Sequence, residues 1–125
     1  MDKLELFQSQ QYMNLETFRK SGEGVKTPVW FVQYNGELCF TTEPQSGKVK
    51  RIRRNPAVRV APCTMDGTVT GTWFSATSRF MTQDEIKQVD KIYNKKYGVM
   101  KFLFSLPSLF RKKPDRVFIA LTLEK

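Results

Sequence analysis

The sequence predicts a mainly β fold, a small antiparallel barrel with peripheral helices. Three observations carry that expectation. Runs of β-branched and aromatic residues recur along the chain, separated by two-residue hairpin signals. Two segments show helical spacing of apolar residues with recognisable ends. Finally, 125 residues with 40% hydrophobic and 13% aromatic content can bury one core but not two. Residues 1–125 are therefore expected to form a single domain.

Residues 2–11 hold Leu4, Leu6 and Phe7 among polar neighbours, a short amphipathic helix at best. From there the pattern turns to period two. Val25 to Tyr34 reads as a strand dense in Val29, Trp30, Phe31 and Val32, and Asn35-Gly36 supplies the positive φ angles of a type I′ turn. Leu38 to Thr42 is the return strand. Lys48 to Arg54 has five cations in seven residues, with Val49 and Ile52 three apart, so it reads as a short helix. Asn55-Pro56 stops it, and Ala57 to Pro62 is the next strand. Asp66-Gly67 is a second hairpin signal before a long strand-like run, Thr68 to Phe80, in which Gly71 marks a bulge or bend. Trp73 and Phe74 in that run are expected in the core.

Thr82-Gln83-Asp84-Glu85 is a capping box. It opens a helix with Ile86, Val89, Ile92, Tyr93 and Tyr97 on its apolar face and Gly98 as its end. The apolar segment 99–113, broken by Pro107, precedes a closing strand from Val117 to Leu123.

The chain contains no histidine. That excludes Ser-His-Asp and Cys-His nucleophile pairs and removes the commonest metal ligand. Two cysteines leave a structural zinc site short of its four ligands, so no metal site is expected. Cys39 and Cys63 lie in apolar, strand-like runs and read as buried thiols in a reducing cytoplasm, not as a disulfide. Glu16, Glu37, Asp84 and Glu85 look like surface or capping carboxylates, without the pairing that general acid–base catalysis needs. The first residues lack a signal-peptide pattern, and no apolar run reaches the roughly 20 residues that span a bilayer.

The net charge of +9 invites an anionic partner, and it is densest in SGKVKRIRRNP, from Ser46 to Pro56. On a helical wheel Val49 and Ile52 form the buried stripe, with Lys48 and Arg51 along one flank. Lys50 and Arg54 face solvent, and Arg53 lies on the far edge. Lys48 sits in the first turn, where free N–H groups and the helix dipole favour an anion, with the Ser46 hydroxyl just ahead. A phosphate held there and a bare solvated helix both fit this spacing. TPVWFV, from Thr27 to Val32, is either plain core or a strand edge that docks a flat ligand through its backbone. Thr41 and Thr42 end the paired strand, where their hydroxyls either donate to such a ligand or serve only β-propensity.

TPVWFV, the Asn-Gly hairpin and FTTEPQSGKVKRIRRNPAVRVAPC together resemble the pyridoxamine 5′-phosphate oxidase-like split-barrel superfamily. The likeness is narrower to its small flavin- or deazaflavin-dependent branch. It covers Thr27 to Cys63 best, and KKYG after the second helix also fits. The resemblance implies a six-stranded antiparallel split β-barrel that forms a homodimer. FMN, or alternatively the deazaflavin coenzyme F-420, would lie at the subunit interface. It maps the cofactor phosphate onto Thr41, Ser46 and Lys48, with Arg51 as helper, and sets the backbone of Val29 and Trp30 against the ring. Gly47 stands where the oxidase proper has a second basic residue. No counterpart of the oxidase's C-terminal pyridoxal-binding residues is found, so vitamin B6 oxidation is not expected.

The function implied is an oxidoreductase transferring hydride between a bound cofactor and an unknown small substrate. The protein in such a case mainly positions the cofactor, which suits a chain without histidine. The alternative is a non-catalytic flavin-binding or storage protein. A nucleic-acid partner is not expected, because one short basic helix without interleaved aromatics is a small footprint. Membrane contact through Phe102, Phe104 and Phe110 is disfavoured by Pro107, which breaks a continuous amphipathic helix. The segment 99–113 is expected instead to pack over the partner subunit or cap the substrate pocket.

Overall fold

The computed structural model describes residues 3–105 (backbone alone for 99–105) and 116–124. Seven strands form one antiparallel sheet: β1 (Tyr12–Phe18), β2 (Gly24–Trp30), β3 (Val32–Tyr34), β4 (Glu37–Thr42), β5 (Ala57–Cys63), β6 (Phe74–Phe80) and β7 (Val117–Leu123). Two helices accompany it, α1 (Gly47–Arg54) and α2 (Gln83–Ser105), after a 3-10 turn at Lys3–Phe7. The strand order is β2-β1-β5-β6-β7-β4-β3.

The two ends of that order are neighbours in the chain, separated only by Phe31. A sheet whose outermost strands are joined by one residue must curl until its edges meet, and the result is a split barrel. The expected strand Val25–Tyr34 is thus divided in its pairing, with β1 up to Trp30 and with β4 from Val32. Its side chains keep alternating through the junction. Val29 and Phe31 join the barrel interior, whereas Trp30 and Val32 join the layer under α2. Counted as one strand, β2 and β3 make the barrel six-stranded.

The interior is filled by Met13, Leu15, Leu38, Phe40, Val58, Val60, Ile119 and Leu121, with Phe7 of the N-terminal turn. Val49 and Ile52 of α1 enter the same core, so the wheel's buried stripe is the observed one. Outside, Val89, Tyr93 and Tyr97 of α2 pack on Val32, Cys39, Phe118 and Ala120. Both cysteines are free and buried, and burial, reinforced by Glu37, pushes the Cys39 thiol up to about 12.

Local chemistry accounts for the turns. Asn35 (φ 50°) and Gly36 (φ 76°) both take positive φ, as an Asn-Gly hairpin requires. The capping box is formed: the Glu85 amide donates to the Thr82 hydroxyl at 3.3 Å and the Thr82 amide to the Glu85 carboxylate at 3.0 Å.

Four expectations are corrected. Gly98 does not end α2, which continues to Ser105; glycine there keeps a negative φ, and the roughly 1 kcal/mol of lost propensity is tolerable inside a long helix. Of the run Thr68–Phe80 only Phe74–Phe80 is strand, touching β5 earlier through a single Cys63–Val69 bridge. The Asp66 carboxylate accepts from the Thr68 amide at 3.0 Å and from the Thr64 hydroxyl, and this turn chemistry overrides β-propensity. Glu16 is buried, not superficial, and pairs with Arg59 at 3.1 Å. Trp73 is half-buried on the outside, with the Lys26 ammonium 5.3 Å and the Arg59 guanidinium 5.1 Å from its ring centre.

The expected packing role of 99–113 lies largely outside the described residues; the backbone of 99–105 continues α2. Among the described residues no helix is long and apolar enough to cross a membrane.

Candidate functional site

A cleft of about 290 Å³ opens where three elements converge beside β2. Its walls are Val29 and Trp30 of β2, Thr41 and Thr42 of β4, Lys48 in the first turn of α1, Tyr93 of α2, and Arg116 just before β7.

Lys48 reaches the cleft because of how α1 is seated. Val49 and Ile52 anchor the helix in the barrel core, and the Ser46 hydroxyl caps it by accepting from the Val49 amide at 3.4 Å. The Thr42 hydroxyl donates to Ser46 Oγ at 3.4 Å, tying the cap to the end of β4. The Lys48 ammonium is half-buried, and its pKa is lowered by that burial first and then by the neighbouring charges of Arg51 and Arg116.

Arg116 is held from the other side. Its Nε donates to Thr41 Oγ1 at 3.2 Å and its Nη2 to the Thr41 carbonyl at 3.3 Å. The Thr41 hydroxyl sends its own proton to the Val117 carbonyl at 3.0 Å. Antiparallel pairing of Thr42 with Val117 is what brings Arg116 to this place. Among the described residues no carboxylate pairs with Lys48 or Arg116. Two cations sharing a cleft, neither ion-paired among the described residues although Glu43 acts on Lys48 from a distance, make a donor set suited to a phosphate.

The aromatic wall is equally fixed. The Tyr93 hydroxyl donates to the Trp30 carbonyl at 2.8 Å, and burial raises its pKa well above the ordinary value for tyrosine. The Trp30 ring stacks on Tyr97 with centres 4.6 Å apart and planes at 9°. β2 ends the strand order, so one of its edges carries no strand partner.

Four of the six residues anticipated from sequence therefore share one cleft: Val29, Trp30, Thr41 and Lys48. Ser46 and Arg51 are not among its walls. Ser46 serves as helix cap and Thr42 acceptor, and Arg51 Nε donates to the Thr17 hydroxyl of β1 at 2.6 Å. Sequence reasoning missed Arg116 and took Tyr93 only for core. The available signal for Arg116 was the last cation of a basic cluster, immediately before a predicted closing strand, meaningful only once that strand is known to pair with β4.

Comparison with known proteins places the fold and the family. Residues 2–125 match the family described as pyridoxamine 5′-phosphate oxidase. Comparison with curated proteins gives no match. Solved structures of similar fold include the heme storage protein HutZ of Vibrio cholerae, 15% identical, with 98% of this chain and 87% of that chain covered and a TM-score of 0.72. An F420 reductase is 19% identical, with 97% and 92% covered and a TM-score of 0.62. A FAD-binding protein of Mesorhizobium loti is 14% identical, with 100% and 90% covered and a TM-score of 0.66. At such identities the likeness is one of fold, whereas the sequence match spans nearly every residue of the curled barrel. The chain belongs to the pyridoxamine 5′-phosphate oxidase family.

Proposed function

We propose that the cleft holds the phosphate of a flavin-type cofactor, FMN in preference to a deazaflavin, and that the chain acts as an oxidoreductase on a small substrate. The observation that carries this reading is the convergence of Lys48 and Arg116, two cations with no ion-pair partner among the described residues, beside the Val29–Trp30 strand edge. A terminal phosphomonoester carries close to two negative charges near neutral pH, which two cations balance. The deazaflavin coenzyme presents a phosphodiester with a single charge, which leaves one cation over.

Each residue then has a task. Lys48 and Arg116 bind the phosphate, Thr41 orients Arg116, and Ser46 caps the helix that presents Lys48. The backbone of Val29 and Trp30 meets the edge of the ring. A bound flavin supplies hydride acceptance and delivery, and the chain supplies position. A volume of about 290 Å³ is small for a whole ligand site, which fits a homodimer whose second copy completes the ring's enclosure.

Titration of the purified protein with FMN and with riboflavin, which lacks the phosphate, tests the assignment. FMN is expected to bind about 10- to 100-fold more tightly. Lys48→Ala should abolish that preference and Arg116→Ala should reduce it. Equal affinity of the wild type for both ligands overturns the phosphate assignment. If reduced bound flavin is reoxidised by none of the acceptors offered, the protein is a flavin-storage module and not an enzyme.

A further inference from the structure

Three side chains of α2 converge on one point of the β2–β3 strand. At Phe31 the strand has left β1 and not yet met β4, so its backbone groups lack a ladder partner. Buried amides and carbonyls do not stay unpaired, and α2 fills the gap. The Tyr97 hydroxyl accepts from the Phe31 amide at 3.1 Å. Its proton is shared between the carbonyls of Phe31 at 2.7 Å and Gln11 at 2.6 Å. The Lys96 ammonium donates to the Phe31 carbonyl at 2.8 Å and lies 4.0 Å from the centre of the Phe31 ring. Tyr93, one turn earlier on the same helix face, donates to the Trp30 carbonyl.

Lys96 is the unusual member. The residue as a whole is exposed, yet its ammonium is turned inward, and burial draws its pKa down to about 8. No carboxylate among the described residues forms an ion pair with it. What offsets the burial of this cation is the Phe31 carbonyl and ring and not a carboxylate, so its interactions are spent on fixing the strand junction. Phe31, which it holds, directly follows Val29 and Trp30, which wall the cleft.

We propose that Tyr93, Lys96 and Tyr97 are positioning residues that set the backbone geometry of Val29–Trp30, so that α2 determines how a flavin-type ring is read at the strand edge. This rests on the cofactor reading above. It divides the work between elements: Lys48 and Arg116 hold the phosphate, and α2 aims the edge that meets the ring.

The test compares binding of FMN and of inorganic phosphate, and the visible spectrum of bound FMN, in wild type, Lys96→Met, Tyr93→Phe and Tyr97→Phe. Each replacement keeps the apolar bulk, so at least one folded variant is available. FMN affinity is expected to fall about tenfold with a shifted flavin band in each, while phosphate affinity is unchanged in Lys96→Met and Tyr97→Phe, whose side chains do not wall the cleft. Lys96→Arg should restore the band. Unchanged FMN affinity and spectrum in all three variants overturns the inference while leaving the cofactor reading intact. Parallel loss of FMN and phosphate overturns it too, as general damage. A wild type that binds no flavin removes the cofactor reading, and the inference with it.

Discussion

Lys96 links one side chain to the pH dependence of the whole fold. Its pKa is about 8 in the native state against an ordinary 10.5. Between those values the unfolded chain binds more protons, so native stability rises with pH across that window. The buried thiols of Cys39 and Cys63, both raised above 9, act in the opposite sense from about pH 9 upward, and Tyr93 and Tyr97, both raised above 10 by burial, do so at higher pH. Compared between wild type and Lys96→Met, the change in urea midpoint from pH 7.5 to 9.5 isolates the lysine, because every other titrating group is common to both. The wild type should gain distinctly more stability across that interval than Lys96→Met. Equal gains in both proteins would mean that the ammonium is not buried in solution. Thr41 and Ser46 show a different lesson at this scale: the Thr41 hydroxyl gives its proton to the Val117 carbonyl, and the Ser46 oxygen accepts from the Val49 amide and the Thr42 hydroxyl.

At the scale of elements, α1 is the piece on which the site depends most. Eight residues cannot hold a helix in water unaided. Its stability comes from Val49 and Ile52 in the core and from the Ser46 cap. Ile52→Ala should destabilise the protein by about 2–4 kcal/mol in urea unfolding. Because Lys48 rides on the same helix, FMN affinity should fall in that variant although Ile52 does not line the cleft. An unchanged affinity would separate the phosphate site from the helix. The start of α2 is fastened differently. Arg79 of β6 reaches both Glu37 of β4 and Glu85 at 2.7 Å, and holds the Glu85 carboxyl at about 2. That contribution is present above the ordinary carboxylate range and vanishes as pH falls through about 2.

The whole molecule is organised by the return of one strand to both ends of the sheet. Phe31 sits at that closure and is fully buried against the barrel core. Phe31→Ala removes its ring from a T-shaped contact with Phe7 and is expected to cost about 3–5 kcal/mol. Loss of FMN affinity should accompany it, since the junction is also the cleft wall. On the proposed reading a second copy completes the site. Sedimentation at micromolar concentration should therefore give twice the chain mass, and a monomer that binds FMN fully would refute the shared site.

The hairpin at Asn35-Gly36, the capping box at Thr82 and the buried stripe of α1 were all legible in the sequence. Each is settled within a few residues, by φ preferences, by side chain-to-amide hydrogen bonds, or by helical periodicity. The family pattern from Thr27 to Cys63 was legible for the same reason, being one continuous stretch. Pairing of β4 with β7 was not, because Leu38 and Leu121 meet across most of the chain and no local pattern encodes their register. Arg116 enters the cleft only through that pairing, and Lys96 and Tyr97 find Phe31 only once the barrel has closed. The sequence by itself determined the hairpin, the capping box and the seating of α1, with a lysine in its first turn. Tertiary structure alone decided which second cation joins Lys48 and which helix grips the strand edge, because long-range strand register and helix packing decide both.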